Sequence, residues 1–140
     1  MGVDAIKVGD TASFSKIISE DDINSFAAIS GDNNPAHMDE EYAAATPFGE
    51  RVAHGLLTAG FIGTVLGMQL PGPGTIYLGQ TLNFLAPVKI GDTITASAEV
   101  LEIGPKRKTA VLKTVCTNQD GKIVVEGIAT VRLPRARRAE

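Results

Sequence analysis

A chain of 140 residues with 44% apolar content is long enough for one domain with a real hydrophobic core. A net charge of −3 provides no global field for nucleic acid, and a single cysteine excludes an intrachain disulfide. No apolar leader opens the sequence, so a cytoplasmic protein without nucleic-acid or membrane partners is expected.

Residues 11–19, TASFSKIIS, alternate as a strand does. Ser19 followed by Asp22 forms a capping-box pattern, and Ile23, Phe26 and Ala27 continue at helical spacing. Gly31 stands where a helix stops, which predicts a helix over 20–30. Asp39 reads as the N-cap of a second short helix through Tyr42. Pro47 and Gly49 open a loop. Residues 54–70 are apolar nearly all round, which predicts a buried helix. This run is too short and glycine-rich for a membrane span. Gly60, Gly63 and Gly67 fall on one side, where a neighbouring element could come close.

The second half reads as β. Strands are expected over 75–88, 93–103, 109–118 and 122–133, separated by glycine- and proline-containing turns. In the first of these, Ile76, Leu78, Leu82 and Phe84 share a face. Gln80 lies on that face too, as a pocket residue or a hydrogen-bonded core group. Cys116, in an alternating run, reads as a small buried hydrophobe. Short turns between consecutive strands imply an antiparallel sheet, curled round the long helix in an α+β domain. The domain is expected over 1–134, with a basic tail over 135–140. The Lys106-Arg107-Lys108 cluster suits a solvated turn.

The segment SGDNNPAHMDE carries the chemistry. Asp32 and His37 are five residues apart, which on a continuous helix would separate them by about 140°. Pro35 pushes Asn34 out of the α region, so 32–37 reads as a loop in which the pair can converge on one water. A carboxylate and an imidazole around one water form a general acid–base pair. Asp32 and Asn34 are equally common as turn and capping residues, and this segment alone leaves both readings open. Gly55 falls in the first turn of the long helix. Its backbone N–H has no intrahelical partner, and the missing side chain lets a substrate carbonyl approach, which suits an oxyanion donor. His54 reads as a cap or packing residue. Asp32, His37 and His54 could ligate zinc, but their spacing fits no compact metal motif and none is expected. No G-x-S-x-G, G-x-G-x-x-G or P-loop lysine is present.

Ser30-Gly31-Asp32-Asn33-Asn34-Pro35-Ala36-His37 resembles the hydratase-2 motif of the MaoC-like, (R)-specific enoyl-CoA hydratases. Arg51-Val52-Ala53-His54-Gly55-Leu56-Leu57 and Ile76-Tyr77-Leu78-Gly79-Gln80 with Phe84, Pro87 and Val88 are similar to later blocks of that family. The short form resembles the bacterial enzymes that feed polyhydroxyalkanoate synthesis. The resemblance implies a hot-dog fold and a homodimer whose sheets join side by side, with an acyl-CoA site near the interface. It implies Asp32 and His37 as the dyad, Gly55 as oxyanion donor, Asn34 as loop support, and no cofactor beyond the substrate's coenzyme A. Water would add to C3 of a trans-2-enoyl-CoA and a proton to C2 from the same side, giving the (3R)-3-hydroxyacyl thioester. Lys106, Arg107 and Lys108 could then meet coenzyme A phosphates, and Gln80 could line the pocket. The rivals are a 3-hydroxybutyryl-CoA or 3-hydroxyacyl-carrier-protein dehydratase, a hot-dog thioesterase, and a non-catalytic thioester-binding module.

Overall fold

The computed structural model describes residues 6–135. All but the first residue of the expected basic tail lies outside that range. The first strand, β1 (Thr11–Ile17), leads into α1 (Glu20–Ser30) through the capping box read from the sequence. Ser19 Oγ accepts the Asp22 N–H, and the Asp22 carboxylate accepts the Ser19 N–H. Lys16 reaches the same carboxylate at 2.7 Å. That hydrogen bond is the largest cause holding the Asp22 carboxyl below its ordinary value of 3.8. The helix ends at Gly31, whose φ of 79° is left-handed, as the stop signal required.

The next segment differs from expectation. Asn34 caps a one-turn helix, α2 (Pro35–Met38), where the sequence pointed to a loop through His37. Proline constrains the residue before it, not those after it, and its missing N–H costs nothing in a first helical turn. His37 therefore sits inside α2. Asp39 then caps α3 (Glu40–Ala44), accepting the Tyr42 N–H as expected.

The long helix, α4 (Gly55–Met68), buries Thr58, Ile62, Val65 and Leu66. Each of the three apolar side chains contributes about 1.5–3 kcal/mol by leaving water. The helix is not buried all round, because Leu56 and Met68 are exposed. The glycine stripe also differs from expectation. A Cβ at Gly63 would touch the Tyr77 ring at 3.8 Å, while one at Gly60 or Gly67 would meet nothing within 4 Å.

The remaining strands are β2 (Ile76–Gln80), β3 (Asn83–Phe84), β4 (Thr93–Ile103), β5 (Thr109–Thr117) and β6 (Ile123–Arg132). They form one antiparallel sheet in the order β1-β4-β5-β6-β2, with β3 also on β6. Helix α4 packs against β1, β4, β5 and β6. This is the hot-dog arrangement, an α+β fold with a sheet curled round one helix. The expected strand over 75–88 is broken in two, and a register shift between Tyr77 and Gly79 spoils its alternation. Ile76, Tyr77, Leu78 and Phe84 are not core but exposed on the β2–β3 side of the sheet, whereas Val88 joins the core and Leu82 packs against it. Among the described residues no helix is long and apolar enough to cross a membrane.

Candidate active site

A cavity of about 740 Å³ opens where α1, α2, the head of α4 and β3 meet. Asp32, His37, His54, Gly55, Thr58 and Phe84 are among its lining residues. A carboxylate oxygen of Asp32 and one ring nitrogen from each of His37 and His54 all lie within 4.8 Å of one another. One water can bridge groups at that separation.

Local bonds shape the loop. Ser30 Oγ accepts the Asp32 N–H at 3.1 Å, and Asp32 Oδ1 accepts the Asn34 N–H at 3.2 Å. Asn34 Oδ1 in turn accepts the Ala36 N–H at 3.0 Å, so Asn34 supports the loop as a cap. The rest of the support comes from residues 51–54. The Arg51 Nε–H donates to the His37 carbonyl, and the Val52 N–H donates to the Ala36 carbonyl at 3.3 Å. His37 Nδ1 donates to the Val52 carbonyl at 2.8 Å, and His54 Nε2 donates to the Asp32 carbonyl at 2.9 Å. A carbonyl only accepts, so His37 Nδ1 carries the proton and Nε2 is the basic nitrogen of the neutral ring.

Arg51 had no role in the sequence reading. It is 5% exposed, and its guanidinium also donates to Glu20 Oε1 and Asn24 Oδ1, both at 3.0 Å. It thereby ties α1 to the segment that carries Asp32 and His37. The legible signal was a charged residue inside a mostly apolar run, since a buried arginine needs partners.

Gly55 heads α4, and the N-cap residue His54 makes no side-chain cap bond. The packing part of the His54 expectation holds and the capping part does not. The Gly55 site is tight: a Cβ there would lie 2.6 Å from Phe84 Cε1. Glycine is required for that close approach, and its N–H lies in the first turn of α4, where a helix offers no carbonyl partner.

Asp32, His37 and His54 form a three-residue cluster of metal-ligating type. The His37 and His54 rings are stacked, with centroids 4.0 Å apart and planes 28° from parallel.

Two expected site elements lie elsewhere. Gln80 is half-buried and hydrogen-bonded beside the groove between α4 and β2: it accepts from the Tyr77 hydroxyl and donates to Thr81 O at 2.8 Å and Thr114 Oγ1 at 2.9 Å. Thr114 passes the chain on to the Gly127 carbonyl at 2.9 Å. Burial, with a smaller contribution from Cys116, raises the Tyr77 hydroxyl above its ordinary value and keeps it a donor. Lys106, Arg107 and Lys108 occupy the β4–β5 turn and do not line this subunit's cavity. Arg107 donates to the Ile6 carbonyl. Cys116 is fully buried, as expected, and burial pushes its thiol up to about 12.

The model for the MaoC like domain matches residues 5–121. The chain belongs to the MaoC-like domain family. Among its MaoC-like relatives, an (R)-specific enoyl-CoA hydratase of Rhodospirillum rubrum is 54% identical, covering 92% of this chain and 89% of that protein. A 3-hydroxybutyryl-CoA dehydratase of Methylorubrum extorquens is 49% identical, covering 96% and 85%. The solved (R)-hydratase of Aeromonas caviae, described as involved in PHA biosynthesis, superposes with a TM-score of 0.90 at 42% identity, covering 93% of this chain and 98% of that one.

Proposed function

We propose that this protein is a hydro-lyase that hydrates trans-2-enoyl-CoA to (3R)-3-hydroxyacyl-CoA. The observation that carries the reading is the hydrogen bond from His37 Nδ1 to the Val52 carbonyl at 2.8 Å. With Nδ1 held by the Val52 carbonyl, Nε2 is left as a base beside the Asp32 carboxylate, in a cavity headed by the Gly55 N–H. The substrate's thioester oxygen takes the Gly55 N–H, which draws electron density from C3. A water between Asp32 and His37 gives a proton to the pair as its oxygen bonds to C3. The pair returns a proton to C2 on the same face. Coenzyme A enters and leaves as part of the substrate, and no further cofactor takes part.

The reverse dehydration runs on the same groups. The dehydratase relative at 49% identity supports 3-hydroxybutyryl-CoA as the substrate in that direction. The link of the Aeromonas caviae enzyme to PHA biosynthesis supports a supply of (R)-hydroxyacyl units as the physiological product.

A homodimer is part of the proposal. Strand β2 is a sheet edge with Ile76, Tyr77 and Leu78 exposed, beside a groove of about 420 Å³ shared with Leu56 and Gly60. An uncharged apolar edge is a template for another strand, and a second copy of the same edge would cover it. Light scattering is expected to give about 29 kDa, twice the 14.7 kDa chain. Leu78→Lys is expected to shift the protein to 14.7 kDa. A wild-type monomer would refute the dimer.

Crotonyl-CoA with chiral analysis of the product tests the activity. The (3R) alcohol is expected. The (3S) alcohol would overturn the stereochemical reading, and binding without turnover would favour a thioester-binding module.

A further inference from the structure

His54 is unused by the reaction as described, yet it is a buried polar group at the site, 2% exposed. Its ring lies flat on His37 at 4.0 Å on one side and against Phe26 at 4.8 Å on another. Its Nε2 bonds the Asp32 carbonyl, while its Nδ1 has no partner among the described residues. We propose that His54 is a positioning residue for both members of the dyad, holding Asp32 through Nε2–H and His37 through its ring face, in the tautomer opposite to that of His37. The inference rests on the dyad reading above.

The chemistry follows from the two carbonyls. Each takes one imidazole proton: Val52 O from His37 Nδ1, Asp32 O from His54 Nε2. His54 therefore keeps its proton on Nε2 and a bare lone pair on Nδ1. A doubly protonated ring would leave a buried N–H at Nδ1 without an acceptor, which is costly. A neutral ring is thus what the site accommodates next to His37. It gives His37 a flat face that does not repel the proton it gains in turnover. The same ring anchors the backbone of Asp32, so one side chain fixes the separation of carboxylate and base. Preorganisation of this kind is steep, since a shift of about 1 Å at a reacting group costs about 10²-fold.

The chain has only two histidines, so a histidine-selective 15N spectrum contains two rings. The expected pattern at neutral pH is one Nδ1–H and one Nε2–H tautomer, with His37→Gln removing the Nδ1–H set. Two rings of the same tautomer would overturn the proposal, whatever the enzyme does. Kinetics supplies the second arm, with wild-type crotonyl-CoA hydration testing the parent reading by itself. His54→Phe keeps a ring for the stack and loses the donor; His54→Gln keeps a donor near Nε2 and loses the ring. For His54→Phe, kcat is expected to fall about 10- to 100-fold with KM within about two-fold. His54→Gln should recover part of that kcat, because it can still reach the Asp32 carbonyl. A packing role alone would let phenylalanine preserve kcat, and that result would also overturn the proposal.

Discussion

Gly55→Ala separates the fold from the chemistry at the head of α4. The added Cβ would stand 2.6 Å from Phe84 Cε1 and 2.7 Å from Cδ1, where ordinary contact begins at 3.4 Å. The ring must therefore retreat by 0.8 Å, the difference between 3.4 and 2.6. Phe84 is 53% exposed, so it can swing aside without opening the core. Alanine also gains roughly 1 kcal/mol over glycine in a helix, less at its first turn, which offsets lost ring packing. Thermal stability should change little. The methyl group and the displaced ring both enter the space beside the N–H that the proposed reaction uses for the thioester oxygen. Steady-state hydration of crotonyl-CoA is expected to fall about 10²-fold in kcat/KM, in keeping with a misplacement of that size. Adding Phe84→Ala should restore part of the loss, as a coupling energy in a double-mutant cycle. Unchanged kcat/KM in Gly55→Ala, or strictly additive losses in the double variant, would refute the reasoning.

Two further predictions concern stability. Asp22→Asn removes the acid-sensitive element of the capping box. The folded Asp22 carboxyl lies below its ordinary 3.8, chiefly through Lys16, so its stabilisation is complete above that value and is lost as pH falls through the folded value. The difference in Tm between wild type and Asp22→Asn should be present at neutral pH and close in strong acid; a pH-independent difference would contradict this. Arg51→Gln strips donors from His37 O, Glu20 and Asn24, and should cost about 1.5–3 kcal/mol in urea unfolding together with a loss of kcat. A stability loss with intact kcat would mean that the loop holds its shape without Arg51.

Elements set by adjacent residues were legible in the sequence. Ser19 and Asp22 begin α1, Gly31 ends it and Asp39 begins α3, each through bonds a few residues long. The local rule for Pro35 was applied too broadly, which hid α2. Alternation in 76–84 marked apolar faces but could not reveal that Ile76, Tyr77 and Leu78 on β2 stay exposed among the described residues. Asp32, His37 and Gly55, which line one cavity, were singled out from residue type and spacing. What holds Asp32 and His37 could not be: the supporting bonds span 15 residues to Val52 and 22 to His54. Contacts of that range leave no periodic trace, so the support from Arg51 and the His54 bond to the Asp32 carbonyl went unnoticed.

The central claim is that Asp32 and His37 act together on one water. Its most direct test is the rate at which Asp32→Asn hydrates crotonyl-CoA, beside wild type and with the fold checked by circular dichroism. Asparagine keeps the shape and can still accept the Asn34 N–H, but it cannot take a proton from water. The expected result is a folded variant slowed by about 10²–10⁴ in kcat, the worth of a general acid–base group. A folded Asp32→Asn variant that turns over like wild type would contradict the account.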